Sequence, residues 1–324
     1  VPNRISLASV ASIGVLAFGL EPIVHEVLGH AVVCWLTGGK ILLISSTALQ
    51  TASASRLVPA AGPLANILFG LVALALLRSL TTQQNANAHA RTVAHATRAE
   101  ALADTATEAP AASGVTRISL TLLFLYFFAF ANLFLATGYI LYSGLINFGD
   151  FAAVIDGLRP AWLYRAALVI IGALGYRYGI AQAARCLAQL LARAHAQPAS
   201  AALASPLPAV PLSLPVARRI IHTACFAGGA LFLLSSFLNP IGPNLIFYDG
   251  LSGTIGLTLG FFLALTDLRH SSAASQSPAP AAQSSAPRQP APEIEIPFNL
   301  PLTITAAIFA AAFLIFMGKG IRLP

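Results

Sequence analysis

The sequence predicts an all-α polytopic membrane protein with about seven transmembrane helices and a short membrane-associated β-hairpin after the first. Three observations lead there. Of the 324 residues, 57% are hydrophobic and only 9% are charged, where a soluble domain carries about a quarter charged residues. The mean hydropathy is +0.77. Several windows supply the roughly 20 apolar residues that one bilayer crossing needs. Lipid is the solvent this composition fits, as a multi-pass protein of a membrane, expected to be a bacterial inner membrane.

The helices are expected near 5–37, 58–80, 117–142, 160–193, 216–238, 244–267 and 300–319. The first outruns a single crossing and contains Pro22, which predicts a kink or a second half deep within the protein. Its length and the polar residues that follow set it apart from a cleaved signal peptide. Lys40 to Arg56 is too short to span as a helix, and its Ile-Leu-Leu-Ile start favours strands. Two short strands are expected, tolerable at membrane depth only where protein shields them or a wet cavity adjoins them.

Three stretches read as solvent-exposed, disordered tethers: Thr81 to Thr116, Ala196 to Pro215, and Ser271 to Pro292. They are rich in Ala, Thr, Ser, Pro or Asn and short of the large apolar residues that build a core. His89, His95, His195 and His270 lie in or beside them and read as solvated side chains. The domain division that results is 1–157, with the tether 81–116, followed by additional helices over 158–324, with tethers 196–215 and 271–292.

The net charge of +7 does not call for nucleic acid, since the Lys and Arg residues are spread through loops and helix ends. With seven helices, most of those 18 basic residues fall on the face that holds the N-terminus, which the positive-inside rule makes cytoplasmic. Cys34, Cys186 and Cys225 are far apart, form no C-x-x-C pair, and read as small core residues.

The chemistry concentrates in His25-Glu26-Val27-Leu28-Gly29-His30, inside one of the most apolar stretches of the chain. Two imidazoles and a carboxylate are expensive in a lipid-length segment, so they signal a site. The pattern approaches the H-E-x-x-H of zinc peptidases, with the second histidine one residue late. Residues five apart on a regular α-helix diverge by roughly 140°. A π-bulge would restore a common face, and Gly29, a weak helix former, is the expected place for it. A catalytic zinc needs three protein ligands. The third should be a membrane-face carboxylate, Asp150 or alternatively Asp249, either of which could instead cap a helix. His222 reads as a packed or interfacial histidine. In Pro59-Ala60-Ala61-Gly62-Pro63-Leu64-Ala65-Asn66, small residues permit close helix approach. Asn66 either makes an interhelical hydrogen bond or serves substrate or a developing oxyanion.

Taken in order, these motifs resemble the site-2 protease family of intramembrane zinc metallopeptidases. The resemblance rests on His25-Glu26 with Gly29-His30-Ala31, on Gly38-Gly39-Lys40 leading into the hairpin, and on Ala61-Gly62-Pro63-Leu64-Ala65-Asn66. It covers mainly residues 10–157. This chain reads H-E-x-x-x-H and lacks the N-x-x-P-x-x-x-x-D-G spacing of the family. The resemblance implies Zn2+ held by His25, His30 and Asp150 (or Asp249), with Glu26 as the general base. It implies substrate contact by Asn66, a transmembrane segment of another membrane protein as substrate, and a membrane orientation opposite to the charge count. Two other classes remain open on the residues alone. One is a non-proteolytic protein that keeps the metal or binds a partner helix. The other is a transporter with Glu21, Glu26 and Asp150 as an ion path, although no internal repeat is visible.

Overall fold

A computed structural model describes residues 4–52, 55–102, 115–193, 214–242, 244, 246–274 and 293–323. Among the described residues, seven helices are long and apolar enough to cross a membrane: Leu7–Leu36, Leu57–Gln84, Leu120–Ile146, Ala161–Ala192, Leu214–Phe237, Ile246–His270 and Leu300–Gly318. The protein is thus a multi-pass α-helical membrane protein, and these helices are numbered below as the first to seventh spans.

The third span runs through the middle of the bundle, packed on the first, second, fourth and sixth. Its sequence explains the position. Tyr126, Phe127, Phe130 and Phe134 are all fully buried, and with Phe18 and Phe261 they form the aromatic core. Phe261 lies 5.2 Å from both Phe127 and Phe134, centroid to centroid. The fifth span crosses the first where both lack side chains. A Cβ on Gly14 would meet the Ala224 backbone, and one on Gly228 would stand 2.6 Å from the Gly14 carbonyl oxygen. Small residues let two backbones touch, which is how helices associate without a hydrophobic drive.

Odd-numbered spans all run the same way, so the two small sheets lie at opposite ends of the bundle. Strands β1 (Arg4–Ile5), β4 (Val115–Arg117) and β5 (Glu293–Ile296) precede the first, third and seventh spans. They pair in parallel, in the order β1-β5-β4, and so tie together the starts of three helices distant in sequence. Arg117 adds an ion pair to Glu295 at 2.7 Å.

At the other end stands the hairpin, β2 (Lys40–Ile44) and β3 (Leu49–Ala52), with β6 (Ile321–Arg322) covering the outer edge of β2. Its turn is buried: Ser45, Ser46 and Thr47 are exposed by 9% or less. Protein supplies what water would elsewhere. Ser46 N–H donates to the Met317 carbonyl at 2.8 Å. The Asn239 amide donates to Ser45 Oγ at 3.0 Å and to Thr47 Oγ1. Removing one partner of a buried hydrogen bond costs about 1–3 kcal/mol. Asn239→Ala is therefore expected to destabilise the protein by about that amount, read as a lowered thermal midpoint in detergent.

One reading of the sequence is corrected. Thr81 to Leu102, expected as the first part of a tether, continues the second helix, which runs over Leu57–Leu102. The stretch is rich in Ala and holds no Gly or Pro, so helix propensity acts where apolar content does not. Residues 271–274 likewise extend the sixth helix. Residues 115–116 belong to β4 and 214–215 open the fifth span; the remainder of the three stretches, 103–114, 196–213 and 275–292, lies outside the described residues, as do His195 and the side chains of His89 and His95.

Candidate metal centre

Pro22 lacks the N–H that would close the next turn of the first span, and from there the winding loosens. Ile23–Ala31 is a π-helix, with Leu7–Pro22 before it and Val32–Leu36 after it in ordinary α-form. A π-helix bonds residue i to i+5, so residues five apart stack on one face. That is the spacing of His25 and His30. Their rings stand 85° apart with centroids 4.7 Å apart, and the two Nε2 atoms approach to 3.1 Å.

Asp150 completes the group. The third span ends at Asn147 in left-handed conformation (φ 57°), and Gly149 follows at φ 87°. A side chain at Gly149 would be strained in that conformation and would also meet Tyr139 Oη at 2.7 Å. This double bend starts the short helix Asp150–Ile155 and returns Asp150 to the first span. Its Oδ2 lies 3.0 Å from His25 Nε2 and 3.2 Å from His30 Nε2. Asp249 belongs to the π-helical turn Ile246–Leu251, and its side chain is outside those described.

Each imidazole is also held from behind. His30 Nδ1 donates to the Val58 carbonyl at 2.6 Å. His25 Nδ1 meets Asn66 Oδ1 at 3.1 Å. In both cases the acceptor is a carbonyl oxygen, so Nδ1 carries the hydrogen and the neutral ring presents a lone pair at Nε2. Glu26, 4% exposed, places a carboxylate oxygen in the same cluster, with the ligand atoms of His25, Glu26 and His30 all within 4.8 Å of one another.

The donor set suits a zinc ion. With bonds of about 2.0–2.1 Å, tetrahedral coordination separates ligand atoms by about 3.3 Å. The three separations here are 3.0, 3.1 and 3.2 Å. Two neutral nitrogens and one carboxylate oxygen form a ligand class used by catalytic zinc, which keeps a fourth position open. A cavity of about 250 Å³ adjoins the three atoms, lined among others by Glu26, Thr47, Leu49, Thr51, Tyr139 and Phe148.

Asn66 does not line that cavity. It is fully buried behind His25, and its NH2 donates to Glu21 Oε1. Of the two roles open to Asn66, the structure shows the hydrogen bond between helices. The reason is depth: Asn66 faces the first span from the second, on the far side of the imidazole from Asp150. One contributor escaped the sequence reading and another was read only in part. Tyr139 stacks edge-on to His25 with centroids 5.9 Å apart and carried no local signal. Gly62 was legible as a place of close approach: a Cβ there would fall 2.7 Å from His25 Nε2 and closer still to His30 Nε2. Gly62→Ala is thus expected to push both rings apart and to lower zinc affinity by about 10–100-fold, the range for changes beside metal ligands. Competition with a chromophoric chelator measures it.

His222 packs edge-on against Phe262 at 5.4 Å, in the first half of the fifth span, and His270 Nδ1 donates to the Thr266 carbonyl of its own helix at 2.8 Å. The three cysteines are buried and in no disulfide among the described residues. The fold and the site together define a multi-pass membrane protein with a His, His, Asp and Glu cluster at a π-helical turn. The chain matches no protein-family model, no curated protein and no solved structure.

Proposed function

We propose that the protein is an intramembrane zinc metallopeptidase, hydrolysing peptide bonds in or near transmembrane segments of other membrane proteins. The observation that carries this reading is the triangle of His25 Nε2, His30 Nε2 and Asp150 Oδ2, with sides of 3.0–3.2 Å, beside the Glu26 carboxylate. The resemblance of the surrounding motifs to the site-2 proteases supports it, and the bacterial inner membrane is the location that goes with it.

His25, His30 and Asp150 would hold the ion. Zinc bound there would supply a Lewis acid that polarises a carbonyl and brings the pKa of water near neutrality. Glu26 takes the proton of the attacking water on its carboxylate and returns it to the amine nitrogen that leaves. Burial of the group excludes bulk water, so these charges act at low dielectric and their effect is enlarged.

A helical substrate must unwind before its backbone can be attacked, which frees amide groups that lipid cannot satisfy. The hairpin offers a partner for them. Strand β2 is flanked by β6 and β3, and Leu49 and Thr51 of β3 line the cavity. An unwound segment laid along β3 would gain main-chain hydrogen bonds by strand addition and would run past the Asp150 side of the cluster. Cleavage of a single-span membrane peptide by the purified protein in detergent, abolished by a zinc chelator and restored by zinc, tests the proposal. Stoichiometric zinc without cleavage would favour the non-proteolytic alternative.

A further inference from the structure

Behind the metal centre, two buried polar side chains that the catalytic scheme does not use, one from each of two spans, form a line that ends on His25. Glu21 lies one turn before His25 on the first span and is 0% exposed. Asn66, also 0% exposed, comes from the second span. The Asn66 NH2 donates to Glu21 Oε1, and Asn66 Oδ1 lies 3.1 Å from His25 Nδ1. We propose that Glu21 is a positioning residue: through Asn66 it fixes which nitrogen of His25 faces Asp150 and His30. This rests on the metallopeptidase reading and extends it one step outward.

Donor and acceptor types decide the arrangement. An amide side chain can be placed either way round, since its oxygen and nitrogen have nearly the same shape. Glu21 Oε1 breaks that symmetry, because of the two ends of the amide only the NH2 can donate to the accepting oxygen of a carboxyl group. Glu21 therefore draws the Asn66 NH2 to itself and turns the Asn66 carbonyl toward His25. The carbonyl in turn requires the hydrogen of His25 on Nδ1. The Nε2 lone pair is left toward Asp150 Oδ2 and His30 Nε2, each within 3.1 Å, which is the state a metal ligand needs. A carboxylate placed one amide away from the imidazole also strengthens it as a ligand, as a carboxylate in direct contact does in other metal sites. A role confined to holding two spans together would need only any hydrogen-bonded pair at these positions. It would not need a carboxylate, nor this order of groups.

The test uses the full-length protein in detergent and two readouts, neither of them activity. The first is zinc affinity by chelator competition; the second is the nitrogen-15 signal of His25, which distinguishes Nδ1–H from Nε2–H, in metal-free protein. Glu21→Gln, which frees the amide to turn, is expected to weaken zinc binding about 10-fold, and Asn66→Ala by about 10–100-fold. Asn66→Asp alone sets two carboxylates against each other and is expected to be the worst variant. Combined with Glu21→Gln it restores the order of groups: the new amide on the first span donates to the new carboxylate on the second, which accepts from His25. That pair should recover affinity to within about threefold of the wild type, a small remainder of the 10–100-fold loss, and should keep Nδ1–H. If the wild type binds zinc and Glu21→Gln and Asn66→Ala bind it equally well, the positioning role is overturned while the metal site stands. Should the wild type bind no zinc, the metallopeptidase reading fails and the nitrogen signal decides alone. Nδ1–H that is lost in Asn66→Ala sustains the brace, and Nε2–H in the wild type overturns it.

Discussion

Replacing Glu26 by Gln is expected to abolish peptide cleavage while leaving zinc in place. The substitution keeps the size and removes only the ability to take and return a proton. General acid–base groups contribute about 10²–10⁴-fold to rate, and a loss of at least that size is expected here in single-turnover assays on a membrane peptide. The metal should survive, because the three closest donor atoms belong to His25, His30 and Asp150. Zinc retained with activity lost assigns Glu26 to chemistry. Unchanged activity would remove Glu26 from the mechanism, and with it the main reason to read the cavity as catalytic. A protein that only binds a partner helix would be indifferent to the change.

His25→Ala should have the opposite signature, with zinc and activity lost together. Removing one of three ligands leaves two donors, and the loss in affinity should exceed the roughly 10–100-fold that outer changes produce. The same holds for His30→Ala and Asp150→Ala. Asp150→Ala carries a further consequence, since it leaves the imidazoles without the carboxylate at 3.0 and 3.2 Å. Elemental analysis of each variant after gel filtration reads the result. A His25→Ala protein that still carries one equivalent of zinc would show that the ion binds elsewhere.

The spans were legible because hydropathy acts locally: the seven windows of apolar residues are visible without any tertiary information. The hairpin was legible too, from a run of β-formers too short to cross a bilayer. The four remaining strands among the described residues were not. They are two to four residues each, and β1, β4 and β5 pair across more than a hundred residues, so no window contains the signal that makes them strands. The helix beyond Thr81 was misread for a related reason. Apolar content reports on burial, whereas an Ala-rich polar stretch forms helix by propensity alone.

At the site, the anomalous spacing of His25 and His30 was itself the signal. An α-helix cannot bring them together, and the π-winding that does so begins beside Pro22 and extends over nine residues, where the sequence suggested a single bulge at Gly29. Asp150 was among two options because the chain direction put both on the same membrane face. Only the bend at Asn147 and Gly149 carries Asp150 to the imidazoles. Asn66 was visible as a buried amide in need of a partner, but Glu21 entered only as a candidate on an ion path. That the three form one line depends on how closely the first two spans approach at Gly29 and Gly62, where a Cβ on Gly29 would stand 2.6 Å from Gly62 Cα.

X-ray absorption at the zinc edge of the purified wild-type protein addresses the central claim most directly. The account predicts one equivalent of zinc with imidazole and carboxylate ligands only, nitrogen and oxygen scatterers at about 2.0–2.1 Å. No zinc, or zinc bound through sulfur at about 2.3 Å, would contradict it.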